Sequence, residues 1–259
     1  MRLRILGCHG GESPTHRATS FLIDDVLLLD AGSLTRSLTV PEQAKIDHIF
    51  VSHTHLDHVR DLAMLADNVI GIRKTPVNVY AVPATAEGLE KHFFNNVLWP
   101  DFTKIPNPAD ASGGPTIKIR RIAPNETTAV GRYKVRTVLV NHPVDCQAMF
   151  VSDGKGTVVY SGDTSTTDKL WEEVSKVQDL RAFIVEVSFT NNMRKLAEVS
   201  GHLTPQMLAQ ELKKLKLKRE VPIFLYGMKP NFHEGLKGEI AALNDARLTM
   251  LKPMDEFDL

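Results

Sequence analysis

The sequence contains little cysteine and no long apolar run. Cys8 and Cys146 are its only two cysteines, too few for a disulfide framework, and this favours a reducing compartment. The longest apolar stretches have the length of strands and fall far short of the roughly 20 residues that a membrane-spanning helix needs. The segment Met1–Gly7 is too short and too soon interrupted by polar residues to act as a signal sequence. We therefore expect a cytoplasmic protein with no membrane association.

The chain also lacks an excess of charge of either sign. Lys+Arg and Asp+Glu each total 31, so the formal net charge is zero. A general nucleic-acid binder would show a basic excess, so we expect no extended nucleic acid as a partner. Hydrophobic residues make up 42% and charged residues 24%, a composition that allows a large core and argues against disorder. No linker or short repeat divides the chain, which predicts a single domain over residues 1–259.

Short apolar or alternating segments predict strands along the whole chain, with helical segments between them. The predicted strands are Arg2–Leu6, Phe21–Ile23, Val26–Asp30, Ile46–Ser52, Val77–Val82, Thr116–Ile122, Tyr133–Val140, Ala148–Val151, Thr157–Ser161, Ala182–Val187 and Val221–Tyr226. The predicted helices are Val59–Val69, Ala84–Phe94, Lys169–Val177, Thr204–Leu217 and Gly238–Leu243. Asn95–Gly114 is too irregular for one element and is predicted to be a long surface loop. This pattern indicates an α/β fold in which helices cover β-sheets.

The most informative segment is His53-Thr54-His55-Leu56-Asp57-His58, which directly follows a predicted buried strand. Alternate residues of an extended backbone point to the same side, so His53 and His55 share one direction. Asp57 and His58 lie at the turn into a helix and face a neighbouring position. Imidazole nitrogens and carboxylate oxygens suit zinc, manganese or iron. A surface loop that is rich in histidine by chance is the alternative, but the whole chain has only 10 histidines. The segment therefore predicts a metal site.

Polar residues at the ends of other predicted strands add candidates. His142 follows the strand Tyr133–Val140, and Asp163 follows the strand Thr157–Ser161. A single aspartate at a strand end is more often a turn residue or a cap, so the weight of these residues comes from their shared position. Asp30, at the end of an earlier strand, is expected to support the loop that carries the histidines.

Taken in order, these segments resemble the metallo-β-lactamase superfamily over nearly the whole chain. The quoted features are Asp30-Ala31-Gly32, His53–His58, His142 and Gly162-Asp163-Thr164. The resemblance implies a four-layer αββα sandwich, with two mixed β-sheets and helices outside. It also implies two metal positions. The first would use His53, His55 and His142, the second would use Asp57 and His58, and Asp163 would bridge them.

Within the superfamily, the nearer resemblance is to class II 3′,5′-cyclic-nucleotide phosphodiesterases. It is carried by Leu56 before Asp57, by Asn96–Asp101, Glu186–Phe189, Gly201–Pro205 and by Lys229-Pro230. RNase Z enzymes share the Glu and Gly-His-x-Thr elements but usually carry a long substrate-gripping arm. The 20 residues between His142 and Asp163 leave no room for that arm.

This resemblance implies a metal-dependent phosphoric diester hydrolase that cleaves 3′,5′-cyclic nucleotides through a metal-bound hydroxide. The implied catalytic residues are His202 as the proton donor to the leaving 3′ oxygen, Glu186 as its orienting partner, and Asp57. A histidine that merely precedes a helix start at Thr204 is the plain alternative for His202. The alternatives for the whole chain are another phosphoester or ester hydrolase of the same fold, or a low-turnover metal sensor, including a diiron sensor.

The sequence departs from the family pattern after the last strand, where Gly227 stands in place of the expected histidine ligand. His233, six residues further on, is one candidate replacement. The other expectation is an open coordination position at Gly227. We expect two divalent metal ions, zinc before manganese or iron, with a weak second site. We also expect a small nucleotide as the substrate, and the resemblance implies a homodimer.

Overall fold

Two seven-stranded β-sheets form the centre of the computed structural model, which describes residues 1–259. The strands are β1 (Arg2–Gly7), β2 (Ser20–Ile23), β3 (Leu27–Leu29), β4 (His48–Phe50), β5 (Val77–Ala81), β6 (Ile117–Arg121), β7 (Thr127–Val130), β8 (Tyr133–Val140), β9 (Cys146–Ser152), β10 (Thr157–Tyr160), β11 (Leu180–Glu186), β12 (Ile223–Tyr226), β13 (Leu248–Met250) and β14 (Glu256–Asp258). One sheet has the order β14-β1-β2-β3-β4-β5-β6 and the other β13-β12-β11-β10-β9-β8-β7. In the first sheet β14, β1, β2 and β3 pair antiparallel and β3 to β6 pair in parallel. In the second sheet β7 to β10 pair antiparallel and β10 to β13 pair in parallel, so both sheets are mixed.

Short helices connect and cover the strands. They are α1 (Leu34–Ser37), α2 (Val40–Gln43), α3 (Leu56–Val59), α4 (Asp61–Val69), α5 (Pro83–Gly88), α6 (Asp168–Ser175), α7 (Arg194–Ser200), α8 (Pro205–Leu212) and α9 (His233–Ala241). A π-helical turn, Leu89–Phe93, continues α5, and 3₁₀ turns at Asn191–Met193 and Pro230–Phe232 precede α7 and α9. None of these helices has both the length and the apolar character that crossing a bilayer requires.

Three hydrophobic clusters separate the layers. One lies between the sheets and contains Phe21, Tyr160 and Tyr226. A second packs α4, through Leu62 and its apolar neighbours, against the outer face of the first sheet. The third packs α6, through Trp171, against the outer face of the second sheet. Burial of apolar surface in all three clusters holds the layers together, and the predicted αββα sandwich of two mixed sheets is confirmed.

Several predicted boundaries are wrong. The helix predicted over Val59–Val69 is two helices, and the first begins at Leu56, inside the histidine segment. The helix predicted over Thr204–Leu217 ends at Leu212, because the lysine-rich segment beyond it packs its leucines against the core without helical backbone. The helix predicted over Gly238–Leu243 begins earlier, at His233. The pattern did not predict its first turns, because the glycines of the helix interrupt the apolar periodicity.

Six short elements have no prediction at all: β7, β13, β14, α1, α2 and α7. The three unpredicted strands and two of the helices have three or four residues each, and α7 has seven. So few residues carry almost no periodic signal, and pairing with neighbouring strands or packing on the core stabilises them instead.

The direction of the strands brings the predicted site residues to one edge of the second sheet. Strands β10, β11 and β12 are parallel neighbours, and β8 runs in the same direction because two antiparallel pairings separate it from β10. Their carboxyl ends therefore place His142, Asp163, Glu186 and Gly227 at the same edge. In open sheets of this kind, ligands bind beyond the carboxyl ends of strands.

Gly227, directly after β12, has a left-handed backbone with a φ of 84°. Its amide nitrogen lies 2.9 Å from the Cys8 carbonyl oxygen, and its own carbonyl accepts a hydrogen bond of 3.0 Å from Ser188 Oγ. A Cβ atom at this position would lie 3.2 Å from Ser188 Oγ. The turn therefore depends on glycine, since L-residues strain in this conformation.

We expect Gly227→Ala to lower the free energy of unfolding by about 1–2 kcal/mol, the cost of forcing an L-residue into a left-handed backbone. Urea unfolding measures the change. Gly238→Ala is the control, because Gly238 is helical and a Cβ there meets nothing within 4 Å. That control should be neutral or stabilising. Equal stability of Gly227→Ala and the parent chain would contradict the argument.

Candidate metal centre

Three imidazoles from two different sheets meet at the first group of ligands. His53 and His55 follow β4, and His142 follows β8. Their ligand nitrogens all lie within 4.8 Å of one another. His142 Nε2 is 3.3 Å from His55 Nδ1. The structure thus brings together the three residues that the sequence assigns to the first metal position.

Asp163 lies between this group and a second one formed with His58. Asp163 Oδ2 is 3.3 Å from His58 Nε2 and 4.0 Å from His53 Nε2. The ligand atoms gathered within 4.8 Å of one another there are those of His53, His58 and Asp163. Asp57 lies beside this group, with Oδ2 3.8 Å from His58 Nε2. One carboxylate oxygen, Asp163 Oδ2, thus faces both groups, which is the position of a bridging ligand.

The inner ligands are held from behind by hydrogen bonds. His58 Nδ1 lies 2.7 Å from Asp30 Oδ2, so the second nitrogen of the ring faces Asp163. Asp30 is fully buried and also accepts hydrogen bonds from Ser52 and from the hydroxyl of Tyr160. His142 Nδ1 lies 3.0 Å from the Gly201 carbonyl oxygen. Such contacts fix the ring orientation and the tautomer of metal-binding histidines.

The electrostatics of this centre are dominated by Asp163. Burial alone would raise the pKa of its carboxyl, but His58, His202 and His53 hold that pKa well below its usual value. Burial likewise opposes charge on His58, yet Asp163, Asp57 and Asp30 raise the pKa of His58 well above normal. For His53, burial and the neighbouring His58 lower the pKa well below normal. The centre therefore gathers carboxylate charge around His53, which burial keeps neutral, and around His58, on which the carboxylates favour a positive charge that a metal cation could replace.

A divalent metal fits these residues. Nε2 of His53 is buried and has no hydrogen-bond partner in the protein. A buried nitrogen normally has a partner, and a metal ion would provide one. Three imidazoles in one group and carboxylates with imidazole in the other are donor sets that zinc, manganese and iron accept. The chain thus has His/Asp groups arranged to hold divalent metal.

His202 and Glu186 form a pair beside the centre. His202 Nδ1 lies 3.3 Å from Glu186 Oε1 and 3.8 Å from Asp163 Oδ2. Glu186 is fully buried and accepts hydrogen bonds from the Leu203 amide at 3.1 Å and from Ser188 Oγ at 2.8 Å. Burial lowers the pKa of His202, but Glu186 and Asp163 outweigh it and raise that pKa above normal. Thr204 caps α8 through its side chain.

One predicted ligand lies elsewhere. His233 does not join either group, and its ligand atom is instead gathered with those of His9 and His16. It is the first residue of α9 and directly follows the 3₁₀ turn Pro230–Phe232.

Sequence reasoning missed three residues that complete the centre. Tyr226 donates a hydrogen bond of 3.1 Å to Asp163 Oδ1, and Tyr160 bonds Asp30. Cys146 Sγ lies 3.6 Å from His53 Nδ1. Tyr160 and Tyr226 each end a strand, the position that identified His142 and Asp163, so that signal was present in the sequence.

We expect Asp30→Asn to weaken metal binding about 10–100-fold at the position of His58, because the buried carboxylate that orients this ring is lost. Asn tolerates the left-handed φ of 58° at this residue, so the backbone should be kept. Titration of the metal-free protein with Zn²⁺ by calorimetry measures the affinity. Ser33→Ala is the control, because it removes a buried hydroxyl that donates to the Ala18 carbonyl and not to a histidine side chain. Equal affinities in Asp30→Asn and the parent chain would refute the orienting role.

Comparison with known proteins places these features in a family. A probable 3′,5′-cyclic-nucleotide phosphodiesterase of Yersinia pestis is 29% identical over 227 residues, which cover 79% of this chain and 63% of that protein. A 3′,5′-cyclic-nucleotide phosphodiesterase of Aliivibrio fischeri is 28% identical over 259 residues, covering 82% of this chain and 74% of that protein. The solved structure of unliganded yeast PDE1 is similar in fold, with a TM-score of 0.77 at 17% identity, covering 96% of this chain and 97% of that one. The chain therefore spans less than two thirds of the length of the Yersinia pestis relative.

The family model described as a beta-lactamase superfamily domain matches residues 19–223. This range contains the histidine segment, His142, Asp163 and the Glu186–His202 pair. The matched length is most of the chain, and the two stacked sheets with outer helices agree with it. The chain belongs to the beta-lactamase superfamily and has the metallo-β-lactamase fold.

Proposed function

We propose that this chain is a metal-dependent phosphodiesterase that hydrolyses 3′,5′-cyclic nucleotides to 5′-monophosphates. The observation that carries the proposal is that His202 lies beside the carboxylate of Asp163, which faces both groups of metal ligands. Asp163 contacts His58 at 3.3 Å and His202 at 3.8 Å. The named activities of the Yersinia pestis and Aliivibrio fischeri relatives support the same substrate class.

Two zinc ions are the proposed cofactors. His53, His55 and His142 would hold the first, Asp57 and His58 the second, and Asp163 both. We propose an open position on the second, since Gly227 offers no side chain and His233 lies with other residues. When bound, the metals would lower the pKa of coordinated water towards 7 and neutralise charge on the phosphate oxygens.

The residues of the chain would supply the proton for the leaving group. Hydrolysis would form a bond between phosphorus and the oxygen of a water molecule and break the bond between phosphorus and the 3′ oxygen, which leaves as an alkoxide unless it is protonated. His202, whose pKa is raised by Glu186 and Asp163 against the effect of burial, is held in a form that can donate this proton. Glu186 acts as a positioning residue, because it holds the imidazole from the side of Nδ1.

An apolar cleft beside the histidine segment offers a place for the nucleoside base. It has a volume of about 220 Å³ and is lined in part by Leu56, Phe93 and Leu98. Leu56 and Leu98 are 61% and 57% exposed, so they face an incoming ligand. Trp99 is partly buried and packs against the hydrophobic cluster on the outer face of the first sheet, so we assign it a packing role.

We expect His55→Ala to lose bound zinc and to abolish cyclic AMP hydrolysis, because one of three ligands of the first position is removed. His55 is exposed, so its loss should leave the core intact. Zinc content and 5′-AMP release are measured on the same samples, with His48→Gln, on β4 but outside the ligand groups, as the control. Undiminished hydrolysis by His55→Ala in metal-defined buffer would refute the site.

The substrate class is tested by assaying the zinc-loaded chain with cyclic AMP, cyclic GMP, a linear phosphodiester and a β-lactam. The proposal expects the cyclic nucleotides to be the preferred substrates. Preference for the linear diester would point to another phosphoester hydrolase of this fold. No turnover with any substrate, together with oxygen-dependent absorption after iron loading, would point to a sensor.

We expect Glu186→Gln to lower kcat and to move the alkaline fall of the kcat profile to lower pH. Activity falls as the pH rises through the pKa of His202, because the proton donor is lost. Removal of the Glu186 charge lowers that pKa, so the fall comes earlier. Glu198→Gln, at an exposed ion pair with Arg194, is the control. A lower kcat with an unshifted profile would mean that Glu186 only supports the structure.

A further inference from the structure

A separate group of imidazoles lies outside the centre described above. His9, His16 and His233 have ligand nitrogens within 4.8 Å of one another. Their ring centroids are 4.6 Å apart for His9 and His16, 5.3 Å for His16 and His233, and 5.6 Å for His9 and His233. Three of the 10 histidines of the chain therefore meet at a second place.

The backbone around this group is fixed by hydrogen bonds. His9 and His16 lie on the loop between β1 and β2, and His233 is the first residue of α9. The amide of His9 donates to the Arg17 carbonyl at 2.9 Å, which closes the loop on itself. The amide of Gly10 donates to the Met228 carbonyl at 3.3 Å, which ties the loop to the segment leading to α9. The three rings are thus presented by anchored elements.

Each ring has one nitrogen without a protein partner. His9 Nδ1 lies 3.2 Å from the Arg17 amide nitrogen and 3.3 Å from the Arg17 carbonyl oxygen. His16 Nδ1 lies 2.6 Å from Ser13 Oγ and 3.2 Å from Thr15 Oγ1. These contacts engage Nδ1 and leave Nε2 of both rings without a protein hydrogen bond, the arrangement that orients metal-binding histidines. His233 Nδ1 is buried and has no hydrogen-bond partner at all. A buried nitrogen of this kind needs a partner, and a cation among three imidazoles supplies one.

We propose that His9, His16 and His233 form a further metal site for a divalent transition ion of the zinc type. Imidazole suits zinc, copper, iron and nickel, whereas calcium and magnesium require oxygen ligands. A tetrahedral zinc ion brings its nitrogen ligands to about 3.3 Å from one another, so small rotations of the half-buried rings of His16 and His233 towards the buried His9 complete the site. Three protein ligands leave a fourth position for water.

This site is distinct from the catalytic proposal. Its ligands come from the β1–β2 loop and α9, and none of them belongs to the groups around Asp163. A metal there would connect that loop to the start of α9. Its presence therefore stands or falls independently of phosphodiesterase activity.

The test is zinc content per chain after loading with Zn²⁺ and removal of free metal, measured by inductively coupled plasma mass spectrometry. We expect His16→Ala, His233→Ala and the double variant each to lose the same single equivalent relative to the parent chain. His92→Ala, an exposed histidine outside all ligand groups, should lose none. The same equivalent should also be lost when His16→Ala is added to His55→Ala, which separates this site from the main centre.

Unchanged zinc content in both His16→Ala and His233→Ala would overturn the site. So would a loss of two equivalents in the double variant, because the residues would then act at different places. Far-UV circular dichroism establishes that each variant is folded. If one variant does not fold, a cobalt titration of the other decides. We expect the cobalt-loaded variant to lack one set of the visible absorption bands that the cobalt-loaded parent chain shows. A full set of bands in the variant would count against the proposal.

Discussion

The centre depends on compensating the buried charge of Asp163. This carboxyl is 4% exposed, and an isolated carboxylate at such a depth would be costly. Imidazoles from both sheets surround it, with His58 at 3.3 Å, His202 at 3.8 Å and His53 at 4.0 Å. The approach of the two sheets at this edge is therefore tied to the charge between them, because separating them would take His53 and His58 away from the carboxylate.

The buried supports around this charge form a connected network. Asp30 holds His58, Tyr226 holds Asp163, and Glu186 holds His202. Each support is itself satisfied by strand-end or loop groups, such as Ser52 for Asp30 and Ser188 for Glu186. Such an arrangement fixes the inner side chains before any ligand arrives, which is how proteins avoid reorganisation during a reaction.

The sequence was sufficient for the part of the centre that follows strand ends. His53 to His58, His142 and Asp163 could be chosen because parallel strands bring their carboxyl ends together, and the structure gathers all of them. The αββα layers could be predicted from the resemblance together with the order of apolar segments. Both predictions depend on patterns within short segments, which a single sequence contains.

The remainder depends on contacts between distant segments. His233 was a reasonable candidate by spacing along the chain, yet the start of α9 places it beside His9 and His16. No pattern within a short segment predicts which of the 10 histidines lie close together in the folded chain. The shortest strands were missed for the same reason, since β13 and β14 exist through pairing with β12 and β1.

The left-handed turn at Gly227 bears on any attempt to place a ligand side chain directly after β12. Glycine adopts the φ of 84° without steric cost, whereas an L-residue at this place is strained. A histidine restored by one substitution would meet Ser188 and a strained backbone together. A ligand at this place therefore requires a change in the turn as well as in the side chain, so a new ligand is easier to introduce from another segment.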